Sequence, residues 1–345
     1  MSSPASARRV VLVAAATAVA LMVAVVLGLV IGPVSIPTTR ILGDLVSHLG
    51  LGHSTLTSTQ SSIVWQLRAP RMVLGLLAGA MLAVAGGTYQ GVFRNPLADP
   101  YLLGVAAGAG LGATLAIVDV AKAATIPTWT PVLAFAGAMV AVTLTWLIGG
   151  RSMRSTTATL VLAGVAVSAL FTSAQTFLQQ QSSAQSIANV YIWLLGSLAN
   201  ASWHSVLVVV PYVVVCVVVC VLAGRALDVM SVGEDEARSL GLSVRTVRLV
   251  VVAASSLGTA AIVSAVGLIG FVGIIVPHIV RLLVGTSYRR ILPISVVFGA
   301  AFLVLADTVA RTVMAPSELP LGVVTAVIGA PVFVLILSVR RMGNA

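Results

Sequence analysis

Asp228-Val-Met-Ser-Val-Gly-Glu-Asp-Glu-Ala-Arg-Ser-Leu-Gly-Leu-Ser-Val-Arg245 is a polar island in a greasy chain, and it holds four of the nine acidic residues: Asp228, Glu234, Asp235 and Glu236. The pattern predicts a short soluble helix. Ser231 and Glu234 have capping-box spacing. Acids fill the first turn, Arg238 sits near the last, and Gly241 is a natural stop. Such a helix between membrane spans either docks on a separate motor protein or is a well-capped surface loop.

The surroundings fix the class. Of 345 residues, 59% are hydrophobic and 8% charged, and mean hydropathy is +1.11. Soluble domains carry about 25% charge, so the chain belongs in a bilayer. Its net charge of +10 is spread in small groups at the ends of apolar runs, with no basic face for nucleic acid. Cys216 and Cys220 lie four apart in one apolar run and read as lipid- or core-facing helix residues, not as a disulfide or metal site.

Ten apolar runs approach the roughly 20 residues that a span needs: 10–31, 69–92, 101–118, 129–149, 157–180, 204–224, 247–268, 270–285, 291–310 and 322–339. The first follows Arg8-Arg9, exceeds a signal-peptide core and precedes Gly32-Pro33, so it reads as a retained span. Gly267 and Gly270 mark a tight break between the seventh and eighth. With the N-terminus in the cytoplasm, 14 of the 19 Lys and Arg fall inside; Arg40, Arg68, Arg71, Lys122 and Arg311 fall outside. The positive-inside rule thus favours ten spans with both termini cytoplasmic. It also places 228–245 on the cytoplasmic side. The whole chain reads as one transmembrane domain, 1–345. Ile187 to Leu198 reads as a short interfacial helix with Trp193 and Trp203 as anchors.

Spacing-four glycines (Gly75/Gly79, Gly87/Gly91, Gly104/Gly108, Gly108/Gly112) predict close helix packing. In the fifth span Ser168, Thr172, Gln175 and Gln179 form one stripe, with Ser173, Thr176 and Gln180 beside it. Amides facing lipid cost of order a kcal/mol each. The face therefore borders a water-filled path or hydrogen-bonds a neighbouring helix. Asn95-Pro96-Leu97-Ala98-Asp99-Pro100 breaks the apolar pattern and is either a tight loop or a constriction at the cytoplasmic mouth. Arg68, Arg71 and Arg311 run against the charge bias outside; they either snorkel to headgroups or meet an acidic partner. His278 reads as structural. Asp307 reads as an i,i+4 partner of Arg311, with proton coupling the sharper alternative. No Gly-x-x-x-x-Gly-Lys-Ser/Thr phosphate loop, His-Glu-x-x-His or Gly-x-Ser-x-Gly motif occurs, so neither ATP hydrolysis nor hydrolase chemistry has a candidate.

These stretches together resemble the FecCD family of ABC-transporter permeases, whose members import iron-siderophores, heme and cobalamin. The likeness runs from Ile63 to Arg341. It rests on Leu67–Arg71, Ala85–Gly91 continuing to Pro100, Gly233–Gly241, Gly270–Arg281, Ala306–Arg311, and Glu318–Val323 with Gly329–Pro331. The resemblance implies an all-α, polytopic type II importer permease of ten transmembrane helices in the cytoplasmic (inner) membrane, paired as a homodimer or close heterodimer. Two ATP-binding cassette ATPase subunits would bind from the cytoplasm, carrying ATP and Mg, and a substrate-binding protein from outside. The chain itself would be non-catalytic and hold no cofactor or metal. The implied coupling residues are Glu234, Asp235, Glu236, Ala237, Arg238, Leu240 and Gly241. Arg68, Arg71 and Arg311 would dock the binding protein. Ser168, Thr172, Gln175 and Gln179 would line the path. Asn95, Leu97 and Thr157 would gate it, with Ala158 replacing a small polar residue. The implied cargo is a metal chelate, iron-siderophore or heme, or alternatively cobalamin; a secondary transporter without an ATPase is the rival class.

Overall fold

The computed structural model describes residues 4–32, 34–48, 54–119, 126–150 and 157–342. Among them every regular element is a helix: α1 (Pro4–Val30), α2 (Thr38–His48), α3 (Ser58–Ser62), α4 (Ala69–Val92), α5 (Val105–Asp119), α6 (Thr130–Gly149), α7 (Thr157–Gln180), α8 (Ala184–Leu194), α9 (Trp203–Leu222), α10 (Gly224–Val232), α11 (Glu234–Ser239), α12 (Val244–Val266), α13 (Val272–Val284), α14 (Tyr288–Ala310) and α15 (Leu321–Met342). Seven helical stretches are long and apolar enough to cross a membrane, and three shorter apolar helices (Val105–Val118, Val272–Val284, Leu321–Val334) join them. These match the ten runs expected.

A wider π-type turn, Ile63–Arg68, fuses α3 to α4 into one stretch from Ser58 to Val92. α4 is the axis of the bundle and is almost wholly buried. It packs on α14, α12, α13 and α9, its contact with α14 being the most extensive. Glycine makes this approach possible. A Cβ on Gly79 would lie 2.1 Å from the Gly299 carbonyl oxygen of α14, and one on Gly86 would lie 1.8 Å from that of Gly273 in α13. Two helix backbones can touch there only because both positions lack a side chain. The same device joins α5 to α6 at Gly108 and Gly137. Of the lipid- and core-facing alternatives for Cys216 and Cys220, both take the core.

The breaks follow local chemistry. α4 ends where Arg94 takes a left-handed backbone (φ 48°) before Asn95-Pro96. α12 stops at Gly267 (φ 75°), and Phe271 (φ 68°) opens α13. The short α13 therefore starts inside the bundle.

The segment 32–66 carries more structure than its Ser/Thr/Gly content suggested. α2 turns Ile41 and Asp44 inward. The Asp44 carboxylate accepts from Trp65 Nε1 at 2.7 Å and from the Ser54 hydroxyl. Trp193 is partly buried and packs against the apolar cluster that includes Ala260 and Val263. Trp203 donates from Nε1 to the Trp65 carbonyl at 2.8 Å.

Candidate functional site

The bundle has two chemically distinct ends. At one, Arg9 Nη2 donates to the Leu282 carbonyl at 3.1 Å, α10 packs beside the start of α14, and α11 packs on α10 and α12. At the other lie Arg68, Arg71, Asp307, Arg311 and Glu318.

The α11 end corrects the capping-box reading. Ser231 does not precede a helix. It lies in the last turn of α10, where its hydroxyl donates to the Asp228 carbonyl at 2.6 Å. α10 forms because Leu227 and Met230, one turn apart, both bury. Gly233 breaks the chain, and α11 begins with no side-chain cap. The acidic first turn, Arg238 and the Gly241 stop are as expected. Gly241 (φ 81°) ends α11 in a Schellman arrangement: Leu242 N–H donates to Ala237 O at 3.0 Å and Gly241 N–H to Arg238 O at 2.9 Å.

The candidate coupling residues divide by role. Ala237 is fully buried, and Glu234 pairs with Arg248 of α12, so these two seat the helix. Asp235, Glu236, Arg238, Leu240 and Gly241 face outward. Val232 (73% exposed) and Leu240 (74%) stand proud on either side of the acids. This is a small exposed surface with an apolar rim and a charged middle.

Near this end the loop after α4 is held by its own side chains. Asn95 Oδ1 accepts from Leu97 N–H at 2.9 Å and Asp99 Oδ1 from Tyr101 N–H at 2.8 Å. Asp99 caps a short 3-10 turn, Pro100–Leu103. The surrounding protein pushes the Asp99 carboxyl up to about 6, because burial penalises its charge. A cleft of about 520 Å³ brings Asn95, Leu97 and Leu102 together with Ala158, Val161 and Leu162 at the start of α7. Thr157 opens α7, but its side chain lies outside the described residues.

The polar stripe of α7 is rotated from the expected position. Val167 and Phe171 set the buried face. Gln175 goes with them: it is 8% exposed, its Oε1 lodged against Gly110 of α5, where a Cβ would come within 2.9 Å. Gln175 therefore packs between α7 and α5. Ser168 and Gln179 are half-buried, while Thr172, Ser173, Thr176 and Gln180 are exposed. The outward face is thus small and hydroxyl-bearing, flanked by Leu170 and Phe177. A wide cavity of about 710 Å³ opens elsewhere on the surface, between α15 (Gly322, Val323, Ala326, Val327) and Leu268–Phe271.

At the other end the arginines are turned inward, which corrects the expectation of three cations presented to a partner. Arg68 is 4% exposed and donates to the carbonyls of Leu29 (2.8 Å), Val30 (2.7 Å) and Val34. Arg311, 3% exposed, donates to Gly28 O at 2.7 Å. Both satisfy carbonyls left over at the C-terminus of α1, where a cation also suits the helix dipole. The Asp307–Arg311 pair exists, at 3.7 Å. The stronger partner of Asp307 is Arg71, which contacts both its oxygens at 2.8–3.1 Å. Arg71 also forks onto Glu318 at 2.8 and 3.0 Å. Glu318 is the partly open carboxylate, with 30% of its side chain exposed. It lies within a quoted motif, yet nothing in sequence marked it as a partner.

Among the described residues no group of three or more His, Cys, Asp or Glu is placed to hold a metal. Among the described residues, a bundle of seven long and three shorter apolar helices, with an uncharged polar face on one of them and a short acidic helix at one end, fits a membrane transport subunit. The comparisons make this specific. Residues 20–339 match the FecCD transport family, and the chain belongs to that family; it is an ABC-transporter permease. The permease YvrB of Bacillus subtilis strain 168, itself uncharacterised, is 38% identical over 329 residues, covering 94% of this chain and 92% of its own. The cobalamin import permease BtuC of Halobacterium salinarum is 43% identical over 288 residues (82% and 75%). The hemin permease HmuU of Yersinia pestis is 36% identical over 307 residues (85% and 90%). A solved inward-facing transporter of metal-chelate type superposes with TM-score 0.81 at 30% identity, covering 94% of this chain and 98% of that one.

Proposed function

We propose that this chain is the membrane-spanning subunit of an ATP-driven importer for a metal chelate, with iron-siderophore the first candidate and heme the second. Two copies pair, two ATPase subunits bind the α11 end from the cytoplasm, and a substrate-binding protein delivers cargo to the Arg71 end. ATP and Mg sit on the ATPase subunits; the chain lacks a phosphate loop. Both termini are cytoplasmic in this reading, as the arginine count favours.

The observation that carries the reading is the family match across almost the whole chain. Relatives named for hemin and Fe(3+)-citrate, and the metal-chelate fold neighbour, favour a chelate cargo; the cobalamin relatives keep that cargo as the alternative. The hydroxyl face of α7 supports a path that a bulky chelate crosses without sticking, between the Arg71 end and the Asn95–Leu97 mouth. A second copy over the α15 cavity would cover what a single chain leaves open. A proton-coupled secondary transporter fits less well: Asp307 is 3% exposed and held by two arginines. Docking of the binding protein falls to the rim around Arg71 and Glu318. Exposed Val313 and Met314 adjoin that rim, while Arg68 and Arg311 stay behind it as supports.

Vesicles holding this chain with its ATPase, supplied with the binding protein and ATP, should take up one of ferric siderophore, heme or cobalamin. Uptake that persists without the ATPase subunits would overturn the proposal.

A further inference from the structure

A second polar network, buried at the α11 end, has no part in the site described so far. It begins at Asp228 on α10, next to the docking helix. Its carboxylate accepts from Ser287 Oγ at 2.7 Å and from the Tyr288 backbone N–H, so it caps the start of α14. The Tyr288 hydroxyl accepts from Arg281 Nη2 at 2.9 Å, and the guanidinium lies 5.1 Å from the ring centroid. The same Nη2 donates to Gln90 Oε1 on α4 at 3.2 Å. Gln90 is 1% exposed. Its amide nitrogen donates onward to the carbonyls of Gly273 and Ile274 at 3.3 and 3.2 Å.

The far end of this chain of contacts is the start of α13, beside the Pro100 loop. Gly273 is two residues past Phe271, whose left-handed backbone (φ 68°) is strained for a bulky residue. Gly270 and Phe271 line the cavity beside α15. A Cβ on Gly273 would meet Pro100 Cδ at 2.7 Å, so Gly273 abuts the loop that carries Asn95 and Leu97. The network is also incomplete. Arg281 Nε is buried with no hydrogen-bond partner. An unpaired donor on a buried guanidinium is destabilising.

We infer that Asp228, Tyr288, Arg281 and Gln90 form a rigid linkage that carries movement of the docking helices to the start of α13 and the Pro100 loop, making these four positioning residues for transport. The inference rests on the coupling role given to α11 above. Displacing α10 moves Asp228, and with it the first turn of α14. Tyr288 then shifts Arg281, and Gln90 transmits the shift to the two carbonyls at the opening of α13. A network that only satisfies buried polar groups would fix stability and leave coupling alone.

The test uses the complete transporter in vesicles and reads cargo imported per ATP hydrolysed. Tyr288→Phe keeps the ring and removes the hydroxyl; Gln90→Leu removes the amide. Each should cut cargo per ATP about tenfold, the scale of one lost buried hydrogen bond, with ATP turnover within about twofold of the parent. The double variant should be no worse than the poorer single one, because both cut one linkage. Unchanged cargo per ATP in both singles, or losses that multiply, would overturn the inference. Ser287→Ala, which takes one donor from Asp228, should show a smaller loss of the same kind and serves if either variant fails to assemble; an unchanged ratio there counts against the linkage. Ala237→Pro separates the two levels. If it uncouples while the network variants do not, only the linkage fails; if it stays coupled, the α11 reading fails first.

Discussion

Asp307→Asn tests whether the arginine cluster is an internal clamp. Asp307 is the shared anion of Arg71 and Arg311, at 2.8 Å and 3.7 Å, with side-chain exposures of 12% for Arg71 and 4% for each of the others. Counting Arg68, Arg71 and Arg311 against Asp307 and Glu318, the cluster carries +3 − 2 = +1. The variant raises that to +2 and leaves Arg311 with neutral partners only. Removing one member of a buried ion pair costs about 3–5 kcal/mol. At roughly 2–4 °C per kcal/mol, the midpoint of thermal unfolding in detergent should fall on the order of 10 °C. Glu318→Gln is the control: its carboxylate is partly exposed, so its pair with Arg71 should be worth about 1 kcal/mol or less. The double replacement Arg71→Met with Asp307→Leu should recover only part of the loss: an apolar pair of similar volume can match a buried ion pair, but Arg311 still lacks its anion. Equal midpoints for Asp307→Asn and Glu318→Gln would refute the clamp and return the arginines to a surface role.

Ala237→Pro removes the 3.0 Å bond from Ala237 N–H to Gly233 O and should leave the bundle folded while binding-protein-stimulated ATP turnover is lost; normal turnover would rule out α11 as the coupling helix. Gly86→Ala would place a methyl 1.8 Å from the Gly273 oxygen, forcing α4 and α13 apart at a cost of about 3 kcal/mol. Gly270→Ala, with nothing within 4 Å, should change the midpoint little. The Asp99 carboxyl, raised to about 6 from 3.8, favours the folded state while protonated. That contribution is present below pH ~4 and is lost as pH rises through ~6. Asp99→Asn keeps an acceptor for Tyr101 N–H, so it should flatten the decline in unfolding midpoint between pH 4 and 6 and raise the midpoint at pH 8; parallel curves for the two proteins would refute this.

The ten apolar helices were legible because bilayer thickness imposes a length on each run. The helix breaks at Arg94–Pro96 and Gly267–Gly270 were legible from their Gly and Pro content. Side-chain direction was not. Ser231 has the right spacing for a cap, yet Leu227 and Met230 draw it into the preceding helix. Gln175 shares a stripe with Thr172, yet Gly110 leaves a slot for its amide, and the exposed polar edge moves toward Ser173 and Thr176. The arginines looked outward-facing because they opposed the charge bias. Nothing local showed that α1 would end beside them with carbonyls to satisfy. Gln90 and Tyr288 carried a usable signal, since a polar side chain in an apolar run needs a partner in the membrane. The identity of that partner depends on α13 lying against α4, which single-chain spacing does not encode.

α4 is the element that would link the two ends in the proposed coupling. Its 24 residues span about 36 Å at 1.5 Å each, close to the thickness of the bilayer core. Arg71 sits at its first turn and Gln90 at its last. Between them the helix is buried, and glycine contacts weld it to α14 at Gly79 and to α13 at Gly86. Close-packed helices at such contacts resist bending, so a displacement imposed at one end is felt at the other as a rigid tilt. A tilt of a few degrees over 36 Å moves the far end by about 2 Å, enough to break a 3 Å hydrogen bond. On this geometry, the Arg71–Asp307 clamp and the Gln90–Gly273 contact are two ends of one lever, and loosening either should shift the conformation that the other prefers.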